Sequence, residues 1–331
     1  MRLDGALPQS IAQAVEALQR GDLLGLPTET VYGLAADACN AQAVAKIFTT
    51  KGRPADHPLI VHVASAEGVS AFAAEVPDFA NRLMAAFWPG PLTLILPRRP
   101  EIGAAAAGGQ NSIGLRCPAH PVAHALLAAC AAQGMAGLAA PSANLFGRVS
   151  PTTAAHVQSE LGPELLVLDG GACEVGIEST IIDCTRGAPV LLRPGQITRT
   201  QIEAACAMTV LDKDALQAPA PRASGTLESH YAPRAKVRLM SANDMAAKLQ
   251  ALGPHANNLG VWSALRPDAG EGLGAGVVWR AQPTTAEQAA HELFTVLRDL
   301  DARGVLQIWV QQPPDTPEWE GVRDRLQRAA A

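Results

Sequence analysis

Residues 26–62 read LPTETVYGLAADACNAQAVAKIFTTKGRPADHPLIVH, and the order of apolar runs, turn residues and helical spacing in this stretch sets the fold class. Leu23-Leu24-Gly25-Leu26 is a short apolar run closed by Pro27, which predicts a strand. Thr28-Glu29-Thr30 then places hydroxyls on a turn, where side chains can face a ligand. From Asn40 onward Ala43, Val44, Ile47 and Phe48 recur at helical spacing, with Asn40 as cap and Gly52 as stop. Residues 59–63 form the next apolar run, so the unit reads strand, helix, strand. Lys51 and Arg53 follow the helix on a turn stiffened by Gly52 and Pro54; a mobile ammonium beside a planar guanidinium suits a polyphosphate. Cations also complement a helix C-terminus with no function attached. Residues 1–206 hold only two lysines, Lys46 and Lys51, so Lys51 is not part of a generally basic surface.

Outward from this unit the same alternation continues. Strands are predicted at 92–96, 113–117, 138–140, 165–168, 179–183 and 190–192, many ended by proline or glycine, which places ligand-facing turns at their ends. An amphipathic helix near the N-terminus precedes them. Residues 1–206 are therefore expected to form one α/β domain. Between 207 and 235 the run APAPRASGTLESHYAPR, with its prolines and small residues, reads as a linker. Residues 236–331 resume the alternation, with strands at 236–240, 259–262, 277–280 and 305–311 and helices at 243–252, 285–303 and 317–330. In the longest helix Ala289, Leu293, Val296, Leu297 and Leu300 make one stripe. Four of the five tryptophans sit here, which predicts a small, separately cored Rossmann-like domain.

At 331 residues the chain suits two domains, and 48% hydrophobic with 17% charged residues is globular composition. A net charge of −5 weighs against a protein that grips nucleic acid through many phosphates. The six cysteines are scattered without a CxxC pair and read as reduced core thiols of a cytoplasmic protein. The alanine-rich run 123–140 is broken by His124, Gln133 and glycines, so no membrane span is expected. Cys117-x-x-His120-x-x-x-His124 has metal-like spacing, but Pro121 signals a helix start and no matching cysteine pair exists elsewhere. Gly270-x-Gly272-x-Gly274-x-Gly276 reads as a loop, not a dinucleotide fingerprint, and no P-loop, GxSxG elbow or HExxH is present.

Polar groups nevertheless interrupt the apolar strands. His62 falls on the face opposite Leu59, Val61 and Val63, and Ser112, Gly114 and Arg116 share a face in SIGLR. A buried arginine needs a partner, either a ligand carboxylate or an internal salt bridge. Ser142, Asn144 and Ser150 in PSANLFGRVSP gather neutral donors on one turn, suited to phosphate oxygens or a base edge, or else to capping.

In order along the chain, PTETVYGLA, KGRPADHPLIVH, WPGPLTLIL, SIGLR, APSANLFGRVSPT, GIESTIID and LLRPG resemble the L-threonylcarbamoyladenylate synthases with a YrdC-like catalytic domain, over about residues 24–195. SHYAPR at 229–234 is similar to the interdomain segment of the long, two-domain form. The resemblance implies a YrdC-like twisted mixed sheet with surrounding helices and a smaller Rossmann-like C-terminal accessory domain. It also implies synthesis of L-threonylcarbamoyl-AMP from L-threonine, bicarbonate and ATP with release of pyrophosphate, the first step of tRNA threonylcarbamoyladenosine modification. Carried over by position, Thr28, His62, Arg116 and Thr180 would bind threonine, with Arg116 taking the carboxylate. Lys51, Arg53, His57, Ser112, Ser142, Asn144, Ser150 and Arg193 would contact ATP, Lys51 and Arg53 serving the reaction itself. Tyr231 would lie on a lid over the occupied site, and magnesium would arrive with the triphosphate. Threonylcarbamoyl transferase machinery acting on tRNA would receive the product. The chain departs from the family at Ala139 and Ala140, where relatives often carry a hydroxyl, at His57, frequently asparagine, and at Ser224–Glu228, a stretch richer in proline and lysine elsewhere. The alternative reading is an RNA-binding module of the YrdC-like type with weak tRNA binding.

Overall fold

The opening stretch folds with one strand more than its spacing predicts. In the computed structural model, which describes residues 1–215, 220–225, 230–264 and 276–331, β1 (Arg2–Asp4) and helix α1 (Pro8–Gln19) precede β2 (Leu24–Leu26), and the turn at Thr28–Thr30 then returns as β3 (Gly33–Asp37). β3 runs antiparallel to β2, with Leu26 opposite Gly33. Small residues hide this strand from pattern reading, and the same smallness lets it sit close to its neighbour: a Cβ on Gly33 would stand 3.1 Å from the Cβ of Ala140. Helix α2 (Ala41–Lys51) is capped as expected, Asn40 accepting from the N–H groups of Gln42 and Ala43, and it stops at Gly52 with φ +62°.

The remaining elements of the first part are β4 (Ile60–His62), α3 (Asp78–Phe87), β5 (Leu92–Pro97), β6 (Ser112–Arg116), α4 (Pro121–Ala132), β7 (Leu138–Ala139), α5 (Ala154–Leu161), β8 (Leu166–Asp169), β9 (Thr180–Asp183), β10 (Val190–Arg193), α6 (Arg199–Cys206) and β11 (Leu211–Asp212). Among the described residues they build an eleven-stranded mixed sheet in the order β1-β8-β2-β3-β7-β4-β6-β5-β9-β10-β11. Both edge strands, too short for pattern reading, lie outside the sequence expectation. One core, with Val44, Ile47, Phe48, Leu83, Leu94 and Leu115, lies under α2, α3 and α6. A second, with Val15, Leu18, Leu126, Leu127 and Leu168, fills the space between α1, α4 and the β1–β8–β2 end. Burying such side chains is the dominant favourable term for the fold.

The chain divides into two compact units, Met1–Phe146 with Ser150–Thr226, and Gly147–Val149 with Leu227–Ala331. The second unit contains β12 (Lys236–Met240), α7 (Ala242–Leu252), β13 (Leu259–Ser263), β14 (Val277–Ala281), α8 (Ala286–Ala302), β15 (Gln307–Gln311) and α9 (Glu320–Ala330). Its described strands pair in parallel, in the order β12-β15-β13-β14. The stripe on α8 is buried as the spacing predicts. Residues 317–319 form a short 3-10 turn ahead of α9, not its first turn. The glycine repeat at 270–274 and the positions 226–229 fall outside the described residues.

Several segments differ from their composition-based reading. Within 207–235, read as a linker, Leu211 and Asp212 pair in parallel with Val190 and Leu191 at the sheet edge, and residues 222–224 belong to the first unit, where they border a cleft. Cys39 is exposed, while the other five cysteines are buried and all six are free thiols. His120 caps α4 through Nδ1 and meets the Gly170 carbonyl through Nε2, the helix-start role signalled by Pro121. Among the described residues no helix is long and apolar enough to cross a membrane.

Candidate active site

β4 and β6 run parallel and in register, so His62 stands opposite Arg116. By strand alternation these two share a face with Ile60, Ser112 and Gly114, and β5 extends that face with Thr93 and Ile95. Arg116 is buried. Its Nε donates to the Gly90 carbonyl at 3.2 Å, its Nη1 to Thr30 Oγ1 at 2.8 Å, and its Nη2 stands 2.6 Å from Glu29 Oε1. Thr30 and Glu29 come from the β2–β3 turn, which Thr28 shapes: its hydroxyl donates to the Val31 carbonyl at 2.6 Å and accepts from the N–H groups of Thr30 and Val31. Burial first, then the Arg116 cation, pull the His62 pKa down to about 3, so the imidazole is neutral at physiological pH.

Along the sheet the nucleotide-type residues converge on a second centre. Arg53 Nη2 donates to the Pro58 carbonyl at 2.8 Å and reaches Ser224 Oγ at 3.5 Å. Arg193 holds the Ser179 carbonyl through Nε and Nη2 and donates from Nη1 to the Ser224 carbonyl at 2.9 Å. Two guanidinium groups far apart in sequence thus meet at one residue. A cleft opens here, lined by Thr93, Ser112, Gly114 and Ile181 and by Arg222, Ala223 and Ser224. Gln110 ties this strap from both sides, accepting from the Arg222 N–H at 2.8 Å and donating to the Arg222 carbonyl at 3.2 Å, while Arg222 also pairs with Asp56.

Lys51 ends α2 as a buried ammonium that donates to the carbonyls of Ser142 and Asn144, so it fixes the backbone of the loop that carries both. Two of its three donors are engaged in this way. Burial and the neighbouring Arg53 charge hold its pKa well below the ordinary lysine value. Ser150, at the far end of that loop, donates to Glu178 Oε1 at 2.5 Å. His57 packs edge-on against Phe146 at 5.5 Å, and Arg53 lies 5.7 Å from the same ring.

Two of the expected site residues have local surroundings other than those expected. Thr180 turns away from the cleft face and donates to the Ile197 carbonyl at 2.8 Å; the hydroxyl on the cleft side belongs to Ser179, 2.7 Å from Thr93 Oγ1 and 3.2 Å from Arg193 Nη2. Strand alternation by one residue accounts for the difference. Tyr231 is a core ring of the second unit, 5.3 Å from Phe294 with the Arg325 guanidinium 5.5 Å away, because an aromatic side chain of that size buries where it finds apolar neighbours. Sequence assigns no site role to Glu29, Thr30, Thr93, Glu178 or Ser179, which join the site here. Glu29 and Thr30 do carry a signal, lying on the ligand-facing turn. Among the described residues no three His, Cys, Asp or Glu side chains form a metal-holding group.

The family model described as "Telomere recombination" matches residues 16–195, and "Threonylcarbamoyl-AMP synthase, C-terminal domain" matches residues 197–331. The chain is 37% identical to the threonylcarbamoyl-AMP synthase of Bacillus subtilis, covering 97% of this chain and 92% of the relative. It is 37% identical to the synthase of Pyrococcus abyssi, over 95% of this chain and 92% of the relative. The crystal structure of P. abyssi Sua5 complexed with L-threonine superposes with a TM-score of 0.82 at 35% identity, covering 97% of this chain and 94% of that one. A family model over more than half of the sequence and relatives matched along nearly their whole length place the chain in the threonylcarbamoyl-AMP synthase family, in its two-domain form.

Proposed function

We propose that this chain joins L-threonine, bicarbonate and ATP into L-threonylcarbamoyl-AMP and releases pyrophosphate. The observation that carries the reading is the adjacency, on one sheet face, of a buried Arg116 with neutral His62 and of the Arg53–Arg193 pair at Ser224. Arg116 suits a carboxylate, and the arginine pair suits the charge of a nucleotide's phosphates. Thr28, Thr30 and His62 serve the amino-acid end, and Ser179, beside Thr93 and Arg193, holds the cleft-side position expected of Thr180. Lys51, Arg53, His57, Ser112, Ser142, Asn144, Ser150 and Arg193 serve ATP, Lys51 mainly by holding the loop of Ser142 and Asn144 in place.

No side chain here needs to act as a covalent nucleophile. The carbamate formed from the threonine amine attacks the α-phosphorus in line, and the protein supplies alignment and fixed positive charge where negative charge gathers. Magnesium enters with the triphosphate as part of the substrate. The mixed anhydride then passes to a transferase acting on tRNA. Mass spectrometry of the protein incubated with ATP, L-threonine and bicarbonate tests this. The anhydride is expected together with pyrophosphate, both requiring all three substrates; pyrophosphate release indifferent to threonine would sink the reading.

A further inference from the structure

Arg116 and two buried side chains beside it, Glu29 and His62, are incompletely satisfied. Glu29 Oε1 and Arg116 Nη2 stand 2.6 Å apart as an ion pair without hydrogen-bond alignment, and Glu29 Oε2 and His62 Nδ1 have no hydrogen-bond partner. The two charged side chains, Glu29 at 7% and Arg116 at 5% exposure, lie out of reach of bulk solvent. A buried carboxylate oxygen without a donor is costly, and native sites that keep one do so for a reason. Arginine–carboxylate pairs frequently align the fork on both oxygens. Here the guanidinium turns two of its nitrogens to Gly90 and Thr30 and leaves Nη2 beside a carboxylate that still has accepting capacity.

Donor and acceptor side by side, of opposite charge and shielded from water, complement a zwitterion. We propose that Glu29 receives the α-ammonium of the amino-acid substrate while Arg116 receives its carboxylate, so that the pair selects an α-amino acid and sets the amine that must become the carbamate. This rests on the threonine reading above and assigns its amine a partner. The neighbouring neutral His62 adds no competing positive charge. Glu29 is then a binding and positioning residue at the reacting nitrogen.

The test is calorimetric titration of the full chain with L-threonine and with 3-hydroxybutyrate, which keeps the carboxylate and hydroxyl and lacks the amine. The native protein should bind threonine more tightly by on the order of tenfold to a hundredfold. In Glu29→Gln that preference should collapse toward one, chiefly through loss of threonine affinity, with ATP affinity unchanged; Glu29→Asp should keep part of it. Equal weakening of both ligands in Glu29→Gln would mean that Glu29 merely supports Arg116 and would overturn the inference. So would a native preference near one, whatever the variants do. Pyrophosphate assays on the same samples separate the two proposals: threonine-dependent release with preference intact in Glu29→Gln removes only the role of Glu29. Glu29-dependent threonine binding without any pyrophosphate release removes only the synthase reading.

Discussion

His62 sits where a charge would be least welcome, beside the Arg116 cation and out of water. Its folded-state pKa of about 3 lies below the ordinary value of 6.5, so only the unfolded chain takes up this proton between those values. Stability contributed by the neutral ring is whole above pH 6.5 and is lost as pH falls from there toward 3. The slope approaches about 1.4 kcal/mol per pH unit within that window. Urea unfolding of native protein and His62→Asn at pH 7 and pH 5 should show the native protein losing the greater share; identical losses would contradict a buried neutral imidazole. His62, Arg116 and Arg193 stand out in the sequence because a charged or titratable group on an otherwise apolar strand demands a partner, and Arg53 because it shares a stiff turn with Lys51. Thr180 is misplaced by one position because Ser179 and Thr180 both carry hydroxyls and Ile181-Ile182 are both apolar, so nothing fixes which face each takes. Glu29 could not be assigned, since its partner lies on a strand distant in sequence.

Helix α2 delivers Lys51 to the loop at Ser142 and Asn144, so its phase and its ends matter to the site. Asn40 fixes the start by accepting two backbone N–H groups at 3.1 Å each. Asn40→Ala should cost about 1 kcal/mol, read as a lower midpoint in thermal or urea unfolding. A change within error would show that tertiary packing alone sets the helix. Cap, apolar stripe and glycine stop are all legible in the amino-acid order. β3 is not, because Gly33 to Ala36 offers none of the β-branched or aromatic residues that announce a strand; its place is set by close backbone approach to β2 and β7. β1 and β11 are short and take their form from neighbours, which local pattern cannot supply.

Across the whole molecule, the most consequential feature is the passage of the chain between its two units. Phe146 and Ser150 belong to the first, yet Gly147–Val149 belong to the second, where the Gly147 carbonyl accepts from the Ala232 N–H at 2.9 Å. Arg148 pairs there with Asp301 at 3.4 Å, and Arg298 donates to the Val149 carbonyl. The tripeptide interrupts the loop that bears Asn144 and Ser150. Arg298→Ala should therefore raise the KM for ATP by roughly twofold to thirtyfold with little change in kcat, as expected for coupling of about 0.5–2 kcal/mol. Unaltered steady-state constants would show that the anchoring is idle. The alternation of strands and helices discloses both halves of the molecule from sequence, but this excursion is invisible there, since Gly-Arg-Val between two polar segments looks like any surface turn. For protein engineers the excursion redraws the seam along which halves from different homologues can be joined: a hybrid spliced once, in the proline-rich stretch after residue 206, would mate a donor's C-terminal portion with a foreign tripeptide. A faithful graft has to transplant that small inset as well, at the cost of two additional junctions.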